Sequence, residues 1–164
     1  MELIGRNGPQ ARWADLMTED LGTAPEGGWL KLVSELLVSN LETSLAFWRD
    51  LLGFRIAYHR PDDSFAYLER DGAQIMLCQR SGKWETGPLE PPFGRGVMFQ
   101  IAVGDLDVLE RTLAAADWPL HAGPREVWRR LGDREGGQRE IFVLDPDGYL
   151  LMLAQHIGQR PLPD

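Results

Sequence analysis

Hydrophobic and polar positions from residue 30 onward predict a strand, a helix and then three strands. The run LKLVSELLVS has the apolar character of a strand, and apolar residues in LETSLAFWRDLL recur at helical spacing. Asn40 is placed to cap the start of this helix, and Gly53 to end it. FRIAYHR, SFAYLER and AQIMLCQR follow as strands, with Asp71-Gly72 predicting a tight hairpin turn between the last two.

The same order of elements returns in the second half of the chain. Strand VMFQIAV leads to Asp105 as helix cap and to DLDVLERTLAAA, which has one apolar face. A weak strand around PREVWRR follows, and then QREIFVL and YLLMLAQ, joined by DPDG. Val103 follows Val38 at the same interval of 65 residues at which Leu106 follows Leu41. The second copy carries 11 additional residues between its helix and its closing hairpin.

The repeat predicts an α+β protein of two βαβββ modules whose curved sheets build one pseudo-symmetric cup. The predicted boundaries are residues 30–82 for the first module, 83–95 for a linker loop, 96–158 for the second module and 159–164 for a tail. Residues 1–29 form an N-terminal extension, in which Pro9 to Leu21 has one helical face. This extension is either a docking helix or dimer arm, or a poorly ordered terminus.

Composition limits the classes of binding partner and the cellular compartment that we expect for this chain. The 164 residues include 17 basic and 25 acidic ones, for a net charge of −8, which disfavours nucleic acid and weakly favours cationic ligands. No apolar run is long enough to span a membrane or to serve as an export signal. Cys78 is the only cysteine, so intrachain disulfides are excluded, and we expect a cytoplasmic protein.

Three stretches resemble the vicinal oxygen chelate superfamily, which includes glyoxalases, extradiol dioxygenases, fosfomycin-resistance enzymes and bleomycin-resistance proteins. VSNLETSLAFWRDLLGF resembles the first helix of that superfamily, PPFGRGVMFQIAV its mid-chain strand, and GQREIFVLDPDGYLLMLAQ its closing hairpin. The resemblance covers about residues 30 to 158 and implies the glyoxalase/bleomycin resistance fold, with the bleomycin-resistance branch as the nearest match.

The resemblance also locates four positions that hold a metal ion in the enzymes, usually through two His and two Glu. Here those positions are Val33, Met76, Met98 and Met152, which do not suit the Mn, Fe, Ni or Zn that the superfamily uses. We therefore expect no metal and no cofactor. The three histidines, His59, His121 and His156, are predicted to be structural or surface residues rather than a ligand triad.

Strand alternation assigns further residues to the inside of the cup. Glu35 and Gln100 occupy equivalent positions of the two repeats and are its conspicuous polar groups. Glu35 either meets a cation or donor on a ligand, or pairs with a neighbouring arginine such as Arg139. The predicted ligand-binding set is completed by Leu37 and Gln74 on the inner face, by Arg139, and by Trp84, Phe93 and Trp128 as aromatic walls. These aromatic residues are equally suited to a dimer interface.

Three functions are consistent with the sequence. The favoured one is a metal-free homodimer that sequesters a cationic or amphipathic small molecule without chemistry, as the resemblance to bleomycin-resistance proteins implies. The alternative is a divergent lyase or dioxygenase of the same superfamily, or a metal-free catalyst with Glu35 as general base. A third is a regulatory or scaffold module whose cup is filled by its own side chains.

Overall fold

The computed structural model describes residues 22–163, and its elements repeat one β-α-β-β-β unit twice. The first unit comprises β1 (Ser34–Val38), α1 (Leu41–Leu45) with a π-helical continuation (Ala46–Leu51), β2 (Arg55–Arg60), a 3-10 turn (Pro61–Asp63), β3 (Phe65–Arg70) and β4 (Ala73–Gln79). The second comprises β5 (Met98–Ala102), α2 (Leu106–Ala115), β6 (Ala122–Leu131), β7 (Arg134–Leu144) and β8 (Leu150–Pro161). The predicted fold class is confirmed.

Each unit forms a four-stranded sheet, in the orders β1-β4-β3-β2 and β5-β8-β7-β6. The first and last strands of each unit pair in parallel, and the other neighbours are antiparallel. Asp71 and Gly72 have positive φ angles of 49° and 85°, as a two-residue turn of the type favoured in hairpins requires. The additional residues of the second unit mostly lengthen the β6–β7 hairpin, whose strands have 10 and 11 residues against 6 each in β2 and β3.

The helices begin where their capping residues predict. The Asn40 side chain accepts a hydrogen bond from the backbone N–H of Thr43, and the Asp105 side chain accepts one from Val108. These bonds satisfy N–H groups that have no partner inside the helix. Both apolar helix faces are buried in one cluster that also contains the helix-covered faces of the two sheets. The two modules thus share a core, within which the rings of Phe47 and Trp118 lie 4.8 Å apart.

The ends of the described chain differ from the predicted boundaries. The helix predicted over Pro9 to Leu21 lies outside the described residues. From Gly22 the chain lies against the first module, where Thr23 donates a backbone hydrogen bond to Ala57. Strand β8 runs to Pro161, past the predicted module end at residue 158, because it pairs with the lengthened β7. No helix between residues 22 and 163 has the length and apolar character needed to cross a membrane.

The β7–β8 turn joins the second module to the first. Both oxygens of the buried Asp145 carboxylate accept hydrogen bonds, Oδ1 from the N–H groups of Asp147 and Tyr149 at 3.0 and 2.9 Å and Oδ2 from Trp48 Nε1 at 3.3 Å. Trp48 belongs to the first module, so one side chain fixes both the shape of the turn and its partner helix. Asp147 adds a second connection by accepting a hydrogen bond from the backbone N–H of Ser39 at 2.9 Å.

The turn requires glycine at position 148. Gly148 has a φ of 92°, and a Cβ there would lie 2.5 Å from Cβ of Pro92 in the linker. No other residue fits this close approach without moving the linker. The next residue, Tyr149, donates a hydrogen bond from its hydroxyl to the carbonyl of Leu37 at 3.0 Å. The sequence DPDGY therefore anchors the second module to β1, to the first helix and to the linker at once.

Burial raises the pKa of Asp145 to about 6, although the hydrogen bonds from Tyr149, Trp48 and Asp147 act in the opposite direction. Between pH 4 and 6 the folded protein holds this proton while the unfolded chain releases it. The carboxyl group therefore contributes stability that is complete at low pH and is lost as the pH rises through about 6. A shift of this pKa from 3.8 to about 6 corresponds to a total change of about 3 kcal/mol in the free energy of unfolding.

We predict that the free energy of unfolding of the wild type, minus that of Asp145→Asn, decreases by roughly 2 kcal/mol between pH 4 and pH 7, which is most of the full effect. The reason is that asparagine does not titrate, so the variant lacks this pH dependence. Urea unfolding at several pH values measures the difference. Asp133→Asn, at an exposed carboxylate, is the control and should give a flat difference. A flat difference for Asp145→Asn would show that this carboxyl titrates normally.

Candidate functional site

The sheet face opposite the helix, called here the inner face of each module, carries the same row of residue types in both modules. In the first module the row runs across paired strands as Glu35, Met76, Tyr67 and Tyr58. In the second it runs as Gln100, Met152 and Phe142. A polar residue on the edge strand, a methionine on the next strand and an aromatic residue on the third therefore recur at equivalent places.

The four positions that the sequence resemblance equates with metal ligands lie on these inner faces. Val33 and Met76 are partly buried and pack against Ala57, Phe65 and Tyr67 of the first module. In the second module, Met98 on β5 is 48% exposed, whereas Met152 on β8 is 5% exposed. Alkyl and thioether groups do not fit a hard divalent cation, and within residues 22–163 no group of three or more His, Cys, Asp or Glu side chains is placed to hold a metal ion.

Glu35 is exposed and is the strand partner of Met76. Burial raises the pKa of the nearby Cys78 thiol, and the negative charge of Glu35 raises it further. The alternative in which Glu35 pairs with Arg139 is wrong. Arg139 lies on the helix-covered side of β7, where its guanidinium forms ion pairs with Asp107 and Glu110.

Gln74 has a role that the sequence did not reveal. Its side-chain oxygen accepts hydrogen bonds from the backbone N–H of Leu30 at 3.1 Å and from the hydroxyl of Tyr67 at 2.5 Å, and its amide nitrogen donates to the carbonyl of Gly28 at 2.7 Å. The segment that it holds, residues 22–30, is called the strap below. The strap lies across the inner face of the first module.

The three aromatic residues predicted as walls lie in different places. Phe93 is buried in the shared core beside Tyr149, with ring centroids 6.1 Å apart. Trp84 is 82% exposed in the linker, where it lines a cavity that also includes Glu35 and Leu37. Trp128 lies at the far end of the β6–β7 hairpin under the guanidinium of Arg160. The structure therefore brings Trp84 near the inner-face residues but not Phe93 or Trp128.

A different aromatic group lines an open cavity of about 480 Å3 on the first inner face. The cavity is lined by Trp29, Tyr58, Tyr67 and Met76, together with the strap residues Gly22, Thr23 and Ala24. Tyr58 and Tyr67 are cross-strand partners, so strand alternation places both of them on the inner face with Met76. Trp29 joins them only because the strap folds back, which no local pattern indicates.

The second inner face contains a buried carboxylate, Glu140, that sequence reasoning also missed. Its two oxygens accept hydrogen bonds from Arg125 and Arg129 at 3.0 and 2.5 Å. Burial alone would raise the pKa of Glu140, but the hydrogen bonds and charges of the two arginines outweigh it and lower the pKa. Nearer the edge strand this face is open, since Met98, Gln100 and Ala102 of β5 are all exposed.

Comparison with known proteins places this geometry in a family. The model of the glyoxalase/bleomycin resistance protein/dioxygenase superfamily matches residues 30–153. A protein of Vibrio parahaemolyticus named "Probable lactoylglutathione lyase" is 30% identical over 131 residues, which are 74% of this chain and 86% of that protein. A "Bleomycin resistance protein" of Geobacillus stearothermophilus is 26% identical over 132 residues, which are 78% of this chain and 98% of that protein.

Solved structures agree on the fold. The crystal structure of a virulence protein from Salmonella typhimurium superimposes with a TM-score of 0.58 at 22% identity, covering 76% of this chain and 94% of that one. The family match begins at residue 30, so nearly all of the strap precedes it.

We predict that Gln74→Leu releases the strap from the first inner face. The substitution removes the two hydrogen bonds that hold Gly28 and Leu30, each worth about 1 kcal/mol. Hydrogen exchange measured by mass spectrometry should become at least about tenfold faster in peptides from residues 26–30 and stay unchanged in β8. Gln159→Leu, whose side chain accepts a hydrogen bond from Arg134 far from the strap, is the matched control. Unchanged exchange in the strap would mean that Gln74 does not hold it.

Proposed function

This chain belongs to the glyoxalase/bleomycin resistance protein/dioxygenase superfamily, and from that premise we propose that it is a metal-free protein that binds and sequesters a cationic or amphipathic small molecule. The observation that carries the proposal is the replacement of all four metal-ligand positions by Val33, Met76, Met98 and Met152. Without imidazole or carboxylate groups, these positions cannot coordinate the divalent ion that the superfamily's metal chemistry needs. An apolar surface suited to holding a ligand takes its place.

Charge favours a cationic ligand over an anionic one. The chain has a net charge of −8, and Glu35 stands exposed in the repeated row beside Met76. On the first inner face the arginines are already engaged, Arg55 by Glu69 and Arg60 by Asp63. A ligand that combines an apolar body with a positive charge therefore matches both the methionine floor and the carboxylate at its edge.

The proposal includes a homodimer. Strands β1 and β5 are each the terminal strand of their sheet, and the exposed inner-face residues of β5 include Met98. A second copy that covers this face would remove exposed apolar surface from water and enclose the ligand between two inner faces. Each cup would then receive its walls from more than one sheet.

The second candidate is a lyase or dioxygenase of the same superfamily. It is favoured by the 30% identity to the protein named "Probable lactoylglutathione lyase". Chemistry without the usual metal ligands would depend on a residue such as Glu35 acting as a base near the substrate. Chemical change of the ligand separates this candidate from sequestration, since a sequestering protein releases its ligand intact.

We expect the lipophilic cation tetraphenylphosphonium to bind more tightly than tetraphenylborate, the anion of the same shape. Glu35→Gln should weaken binding of the cation by roughly threefold, within the range of a solvent-exposed ion pair, and should not weaken binding of the anion. Isothermal titration calorimetry in the presence of chelator measures both. The control is Glu42→Gln, an exposed carboxylate in the first turn of α1. Tighter binding of the anion would contradict the proposed class of ligand.

Elemental analysis tests the metal-free part of the proposal. Protein purified without chelator should contain less than about 0.1 equivalent of Mn, Fe, Ni or Zn, because the four positions offer no imidazole or carboxylate. A stoichiometric metal that is lost on substituting inner-face residues would favour the enzymatic candidate instead.

Light scattering tests the proposed homodimer by measuring the molar mass in solution. We expect a mass of twice 18.5 kDa for the wild type and a shift toward 18.5 kDa for Met98→Glu, since a carboxylate would be costly at a buried apolar interface. Val108→Glu, on the exposed side of α2, is the control for an added charge at an exposed apolar residue. A monomeric wild type would remove the homodimer from the proposal and leave ligand binding to be judged by calorimetry.

A further inference from the structure

The strap is attached to the first module from the edge of β2 to Gln74 on the inner face. Gly22 forms an isolated bridge with Tyr58, and Thr23 donates to the carbonyl of Ala57 at 2.8 Å. The N–H of Glu26 donates to the carboxylate of Glu69 at 3.0 Å. Gln74 then holds both sides of Trp29 through Gly28 and Leu30. These contacts fix the position of Trp29 over the row that contains Met76.

Trp29 stands at right angles to two tyrosine rings. Its ring centroid lies 5.8 Å from that of Tyr58 and 4.9 Å from that of Tyr67, with interplanar angles of 86° and 88°. The two tyrosine rings are nearly parallel to each other, at 27°. The three rings therefore form a corner of aromatic walls above Met76, and Trp29 itself is 53% exposed. A planar group that enters the corner can lie parallel to the Trp29 ring or to the two tyrosine rings, but not to both.

The charges around this corner favour a cation over an anion. The guanidinium of Arg60 is bound to Asp63 and to the hydroxyl of Tyr58, and it also stacks on Phe65. Glu35, the strand partner of Met76, forms no ion pair among residues 22–163. The faces of aromatic rings are themselves attractive to cations.

We propose that the strap is a wall of the ligand site and that Trp29 selects planar aromatic cations. The proposal deepens the proposed function and rests on it, because it assigns the ligand class and a specificity-determining residue to the same inner face. It also gives residues 22–29, which precede the family match, a direct part in binding. A ligand that lies flat on the indole ring of Trp29 would have its charge near the π faces of the corner.

The test uses thioflavin T, a fluorescent planar aromatic cation, and 8-anilinonaphthalene-1-sulfonate as an aromatic anion. The full chain should bind thioflavin T more tightly than the anion. Trp29→Ala should weaken binding of thioflavin T by about tenfold, and Trp29→Phe, which keeps an aromatic face, by less than about threefold. Leu32→Ala removes a side chain that is 88% exposed just beyond the strap and should change neither affinity. Circular dichroism melting verifies that each variant is folded.

The outcomes separate this inference from the proposed function. If the wild type binds thioflavin T but Trp29→Ala binds it equally well, the strap is not part of the site, while sequestration by the inner face still stands. If binding depends on Trp29 but the bound ligand is chemically altered or needs a metal, sequestration fails and the role of the strap stands. Absence of thioflavin T binding to the wild type, or tighter binding of the anion, overturns the assigned ligand class.

Discussion

The buried carboxylate of Asp145 is the interaction on which the arrangement of the two modules depends. It accepts hydrogen bonds from two N–H groups of its own turn and from the indole N–H of Trp48, so one side chain both shapes the turn and holds it against the first module. Burial of a carboxylate costs free energy that the accepted hydrogen bonds only partly offset, and the pKa of Asp145 is therefore raised. Through Trp48, which is buried in the shared core, this connection joins the turn to the cluster in which both helices pack.

The shared core bears directly on the proposed function. Because both helix-covered faces join the modules, the inner faces carry no part of that cluster, and we propose that a ligand and a second copy use them. The repeated row on these faces shows which residue types the two modules have in common. A polar group, a methionine and an aromatic ring suit a surface that adapts to the apolar body of a ligand and orients the charge that the ligand carries.

Local features of the chain were predictable from the sequence, whereas contacts between distant segments were not. Asn40, Asp105 and the turn at Asp71-Gly72 act on their immediate neighbours, so residue type and position were sufficient. The strap and Trp29 depend on hydrogen bonds to Gln74, more than 40 residues away, for which the chain contains no periodic signal. Arg139 illustrates the same limit, since alternation alone did not show that its partners are on α2.

The proposed loss of the metal ligands, with valine and methionine at their positions, and the presence of a strap can be explained together. A metal ion orients a ligand through directional bonds, and a thioether floor supplies no such direction. Aromatic walls at right angles restore orientation by restricting how a planar group can lie, and they do so without donor atoms. The strap brings the wall that the sheet does not contain, because Tyr58 and Tyr67 lie nearly parallel and need a third ring across them. In the function proposed here, recognition at the inner face depends on the shape of an aromatic corner rather than on coordination.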